Sequence, residues 1–257
     1  LLNYLGEHHG CNFSVVPETG EYVGGDKNFP NIPFSNYEAA KANIHFFIAL
    51  EKIRCQDAIK LYKKYGKPVI MDRSTPISSP IFYALLEEKH SVLHSFNDSF
   101  LQYALECFAK EIMRGGIFIP KGLIYLRPCD KNTFMARLPR GTRNMVFAHW
   151  NSFTYLDKKY QILLQSKFKD HSLQLVSKDD RCTIKKNVLK LTSFVDTPLP
   201  ETYDLGLSVL NKFIGKTYKL DTGIDISVEQ SKYKSSIARA ISLVKQAKNS
   251  GLLNRHT

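Results

Sequence analysis

Residues 15–20 read Val15-Val16-Pro17-Glu18-Thr19-Gly20, an apolar run, a single carboxylate and then turn chemistry. A run of 13–16 that is too short for a helix and rich in β-branched residues reads as a buried strand, and Glu18 stands where it ends. The same grammar recurs twice. Val69-Ile70-Met71 stands directly before Asp72 in KPVIMDRS, and GLIYLRP, residues 122–128, is an apolar run that closes on Arg127. Between the first two strands lie a loop rich in Gly, Pro and Asn and a long helical pattern. That pattern covers 37–65, is marked by Ile44, Phe47, Ile48, Ile53, Ile59 and Leu61, and stops at Gly66, a residue that turns left-handed without a Cβ clash. Short apolar strands alternating with long helices predict an α/β fold with a mostly parallel sheet and helices on both faces. Ligands of such sheets gather beyond the carboxyl ends of the strands, so Glu18, Asp72 and Arg127 are expected to share one edge.

Further along, 77–115 reads as two or more helical pieces closed by Gly115-Gly116. Helical patterning returns at 131–138 and 152–168, a strand is expected at 182–191, and helices complete the chain. With 257 residues the chain can bury a sizeable core, and one principal domain is expected. No apolar run is long enough for a membrane span, so no membrane partner is expected. The five cysteines are scattered, without CxxC spacing, which points to reduced thiols in a cytoplasmic, reducing compartment. His8 and His9 are adjacent, face different ways on a helix, and read as surface.

A net charge of +12 suits an anionic partner, whether nucleotide, nucleic acid or acidic protein. The basic residues thicken toward the C-terminus, where Lys232, Lys234, Arg239, Lys245 and Lys248 flank an apolar stripe of Ile237, Ile241 and Val244. Two readings stand for that helix, a solvated face or a surface that contacts phosphate backbones.

In order and spacing these stations resemble the P-loop nucleoside and nucleotide kinases, above all the deoxynucleoside kinase and thymidylate kinase-like group. Val15-Pro17-Glu18 resembles the VPEP motif of that family, which implies that Glu18 is the general base toward an acceptor hydroxyl. Asp72-Arg73-Ser74 resembles its DRS motif, which implies that Asp72 helps to organise magnesium and that Arg73 contacts Glu18 and the acceptor. RLPRGTR resembles its lid, with Arg137, Arg140 and Arg143 closing over the phosphates of ATP. The resemblance covers the chain from residue 1 to about 168. It implies a three-layer P-loop NTPase-like core at 1–170, and at 171–257 the rest of that core with a basic helical extension. ATP and Mg2+ are the expected cofactors, and the expected activity is phosphoryl transfer to a hydroxyl or phosphate of a nucleoside-like acceptor.

The glycine-rich GxxxxGK[ST] loop of the family is absent from the sequence; LLNYL at its start resembles the helix that follows that loop, so upstream residues are expected. A loop-less, inactive kinase fold serving as a structural or nucleic-acid-binding subunit stays open beside it. Where the family places a base-pairing glutamine, this chain has His45, with Phe46 beside it, and these two with Arg127 are the candidate acceptor contacts. The second arginine that follows the family's DRS motif, and an acid in the lid, are missing from TPISSPIFY and NMVFAHW. That departure, together with the basic tail, opens a further reading in which the acceptor is a hydroxymethylated base in DNA, held by Lys232, Lys234, Arg239, Lys245 and Lys248.

Overall fold

The computed structural model describes residues 13–30, 36–73, 99–118, 120–137, 150–165, 171–177, 181–196 and 223–253. In chain order its elements are β1 (Ser14–Val16), α1 (Thr19–Tyr22), α2 (Tyr37–Tyr65), β2 (Val69–Met71), α3 (Ser99–Met113), β3 (Leu123–Pro128), α4 (Lys131–Arg137), α5 (Trp150–Gln165), β4 (Ser172–Ser177), α6 (Arg181–Asp196), α7 (Ile226–Lys232) and α8 (Lys234–Asn249), with a 3-10 turn at Asp26–Asn28. Contacts sort the described segments into two units. One holds 13–30, 36–73, 99–118 and 223–253; the other holds 120–137, 150–165, 171–177 and 181–196.

In the first unit β1 and β2 pair in parallel, with Ser14 opposite Val69 and Val16 opposite Met71. A parallel pair needs a long crossover, and α2 supplies it. Its limits follow from local chemistry. The Asn36 side chain accepts a hydrogen bond from the Ala39 N–H at 3.1 Å, and Gly66, at φ 64°, donates its N–H to the Tyr62 carbonyl at 2.8 Å. Val16, Tyr22, Phe46, Leu50 and Ala58 form one core with Ala240, Val244 and Ala247 of α8. The C-terminal helices are thus part of this unit's core and do not stand apart as an extension. Polar contacts reinforce both ends of that packing, Lys232 to Glu38 at 2.9 Å and Lys248 to Asp57 at 2.6 Å, so α7 and α8 run alongside α2 in the same direction. A helical C-terminus and a helix over Ser99–Met113 agree with the sequence; the expected helical residues 77–98 lie outside the described residues.

In the second unit β3 and β4 pair in parallel over their full length, from Leu123 opposite Ser172 to Pro128 opposite Ser177. Helices α4 and α5 lie between them in the chain, close to their expected limits. Two expectations are corrected here. Residues 182–191 are not a strand but part of α6, in which Ile184, Val188 and Leu191 recur at helical spacing and Val188 and Leu191 are buried. The strand is Ser172–Ser177 instead, where Leu175 is buried and its neighbours Gln174 and Val176 are exposed.

The protein is therefore mixed α/β, and both of its described sheets are parallel and two-stranded. A single sheet carrying β1, β2 and β3 is not among the pairings of the described residues, because β3 pairs with β4 in the other unit. No helix among the described residues is long and apolar enough to cross a membrane.

Candidate active site

Where β1 ends, the backbone changes character residue by residue. Pro17 is buried and has no N–H to continue a ladder, so pairing stops after Val16. Glu18 is extended, at φ −67° and ψ 165°, and stands at the N-cap of α1, but its side chain caps nothing there. On the neighbouring strand the Asp72 N–H donates to the Val16 carbonyl at 2.8 Å, the last rung between the two. Arg73 follows in the left-handed region, at φ 57°, alone in this among the described non-glycine residues.

Because the strands are parallel, both of these ends project from the same edge. There Arg73 Nε lies 3.3 Å from Glu18 Oε2. The Arg73 side chain is 71% exposed and that of Glu18 29%, so the pair opens to solvent on its guanidinium side. An ion pair this exposed contributes at most about 1 kcal/mol. A non-glycine residue held left-handed costs about 1–2 kcal/mol, so the pair by itself does not account for the backbone that presents it.

Beneath the pair lies Arg54 of α2, with no exposed surface. Its Nη1 donates to Glu51 Oε2 at 2.7 Å and its Nε to the Pro17 carbonyl at 3.0 Å. Its Nη2 donates to the carbonyls of Asp72 and Arg73, at 2.5 and 3.0 Å. Neither Arg54 nor Glu51 was singled out from the sequence. The signal was there: Glu51 lies three residues after Ile48 and Arg54 four after Leu50, so both charges stand in register with the buried apolar face of the helix.

The other expected site residues fall as follows. The Asp72 side chain is exposed at the same edge as Glu18 and has no hydrogen-bond or ion-pair partner among the described residues. His45 and Phe46 are both buried, Phe46 in the core shared with α8 and His45 with no exposed surface. His45 Nε2 is 2.7 Å from Tyr103 Oη, which donates to Glu229 Oε2 at 2.6 Å, and its ring stacks on Tyr233 at 4.9 Å. Burial lowers its pKa to about 4, so it is neutral at neutral pH. This corrects the expectation that His45 and Phe46 touch an acceptor: helix packing has turned both inward, and neither presents a surface to a ligand.

Arg127 belongs to β3 in the other unit, where its Nη2 pairs with Asp157 Oδ2 at 2.8 Å and Tyr125 donates to Asp157 Oδ1 at 3.0 Å. Its expected convergence with Glu18 and Asp72 on one sheet is not found among the described pairings. Arg137 is the last residue of α4, and Arg140 and Arg143 lie outside the described residues. Of the basic C-terminal side chains, Lys232 and Lys248 bind Glu38 and Asp57, and Arg239 Nη2 reaches the Asn28 carbonyl at 3.5 Å. Lys234 and Lys245 are exposed and have no such partner among the described residues.

No group of three or more His, Cys, Asp and Glu side chains suited to a metal ion occurs among the described residues. Magnesium held together with a nucleotide needs less, since phosphates and water supply most of its six oxygens. The single unpaired carboxylate of Asp72 fits that sparse role. Comparison of the chain with protein-family models, curated proteins and solved structures finds no significant match.

Proposed function

We propose that this chain transfers the γ-phosphoryl group of ATP to a hydroxyl or phosphate of a nucleoside-like acceptor, on a three-layer P-loop kinase-like fold. The observation that carries the reading is the Glu18–Arg73 contact, 3.3 Å, at the carboxyl ends of two adjacent parallel strands. In such transfers the protein positions groups and neutralises charge more than it forms bonds.

With a hydroxyl acceptor, the acceptor oxygen bonds to the γ-phosphorus as the bond to the β–γ bridging oxygen breaks, leaving ADP. Glu18 takes the proton that the hydroxyl loses. Arg73, beside it and largely exposed, holds the acceptor against that carboxylate. Asp72 would hold the hydrated magnesium that accompanies the nucleotide, which would supply charge neutralisation at the phosphates. Arg137, Arg140 and Arg143 close over the phosphates as the lid. The free thiols Cys55, Cys107, Cys129 and Cys182 suit a reducing compartment, and we place the activity in the cytoplasm.

A polymer acceptor draws less support. Three of its five expected basic contacts, Lys232, Arg239 and Lys248, already bind groups of the protein itself.

The test is transfer of labelled phosphate from ATP to a panel of nucleosides, nucleotides and hydroxymethylated DNA, with the parent protein and Glu18→Gln. The expected result is transfer by the parent and a loss of about two to four orders of magnitude in kcat for the variant, with ATP affinity retained. Near-normal turnover in the variant removes the base from Glu18, and no transfer by the parent to any acceptor removes the enzyme.

A further inference from the structure

We infer that Arg54 is a positioning residue for this site, a single guanidinium that holds both site-bearing strand ends where Glu18 and Arg73 meet. Its catalytic consequence rests on the kinase reading; its structural half rests on geometry alone.

A buried arginine needs a reason. A buried ion pair such as Arg54–Glu51 is on average no more stabilising than apolar side chains of the same volume. The remaining donors supply the reason, because they go to three carbonyls that lie beyond the last rung of the β1–β2 ladder. Strand pairing no longer satisfies those groups, and for the buried Pro17 a carbonyl without a donor is costly.

The choice of carbonyls is specific to the site. The Pro17 carbonyl belongs to the peptide plane that leads into Glu18. Those of Asp72 and Arg73 belong to the two planes on either side of the Arg73 Cα, and one nitrogen, Nη2, holds both. Fixing those planes fixes the left-handed turn that carries the Arg73 side chain toward Glu18. The planar fork of arginine reaches Pro17 on one strand and Arg73 on the other at the same time; a lysine ammonium is a point donor and cannot keep both at these angles. Displacements of about 1 Å between reacting groups cost on the order of a hundredfold in rate, so a clamp at this place has kinetic consequences.

The experiment is Arg54→Lys in the parent and in the Glu18→Gln background, with fold checked by circular dichroism. In the parent background the expected result is a kcat about ten- to a hundredfold lower, with KM for ATP and acceptor within about threefold. In the Glu18→Gln background the same change should lower the residual kcat by less than about threefold, since the position of a base that is gone no longer matters. Equal losses in both backgrounds, or an undiminished kcat in folded R54K, overturn the catalytic half.

Hydrogen exchange separates this from failure of the kinase reading. In R54K the amide of Asp72, which donates to the Val16 carbonyl next to the clamped planes, should exchange at least about tenfold faster while those within α8 do not change. Unchanged exchange at Asp72 overturns the clamp whatever the activity. A parent without phosphoryl transfer removes the catalytic half only. If R54K does not fold, Arg54→Gln takes its place, and the parent's own Arg54 Nε–H proton should persist in nuclear magnetic resonance spectra at neutral pH. Rapid exchange of that proton overturns the clamp.

Discussion

Arg73→Gly and Arg73→Ala, compared with one another, isolate the backbone at the candidate site from its side chain. Both substitutions delete the guanidinium and so lose the same contact with Glu18, worth at most about 1 kcal/mol because the Arg73 side chain is 71% exposed. That loss cancels in the comparison. What differs is the Cβ. At φ 57° alanine keeps the left-handed penalty of about 1–2 kcal/mol, and glycine does not. Glycine also loosens the unfolded chain, which costs about 0.4–1 kcal/mol. The balance leaves Arg73→Gly more stable than Arg73→Ala by roughly 0.5–1 kcal/mol, or about 1–4 °C in Tm for a chain of this size. Thermal melts followed by far-ultraviolet circular dichroism in one buffer measure the difference. Phosphoryl transfer should fall in both variants, because the acceptor clamp is gone from both. A Tm for Arg73→Ala at or above that of Arg73→Gly would refute the argument that this strand end carries a conformational cost in the service of its side chain.

The buried histidine makes stability depend on pH. Burial against Tyr103 and Tyr233, opposed by the carboxylates of Glu229 and Glu111 and aided by Lys41, lowers the His45 pKa to about 4, whereas the unfolded chain protonates near 6.5. The stabilisation is complete above about pH 6.5 and is lost as pH falls toward 4, by roughly 3 kcal/mol in all; in His45→Gln, Tm should fall less between pH 7 and 4.5 than in the parent, and parallel curves would refute the assignment. Docking of α8 on α2 is tested by Ala240→Leu. Ala240 has no exposed surface in that core, so the larger side chain should cost about 1–3 kcal/mol, and an unchanged Tm would refute the packing.

Much of the first unit is legible from local chemistry. The periodicity and the glycine that bound α2, and the apolar triplets that become β1 and β2, are properties of a few neighbouring residues, and the structure keeps those limits. The misreading of α6 shows where local chemistry runs short. Cys182, Thr183, Ile184 and Val188 favour a strand one by one, and only burial of the face made by Val188 and Leu191 settles the period at 3.6. For the site, the sequence marked Glu18, Asp72 and Arg73 by their place after apolar runs, and the kinase resemblance implied that Arg73 meets Glu18; it did not show that Arg127 pairs with Asp157 in the other unit. His45 illustrates the limit. On a helix with apolar residues on several sides, only the seating of α3 and α7 against it decides that its ring faces Tyr103 and Tyr233 instead of a ligand.

By itself, then, the order of residues determined which stretches extend, which coil, and which charged side chains stand at strand ends, because those depend on sterics and spacing within a turn or two. Tertiary structure decided the rest. That Arg54, a residue nineteen positions from Arg73 in the chain, joins both strand ends through one guanidinium, and that the basic C-terminal helix packs onto α2, are contacts between segments whose proximity no local pattern encodes.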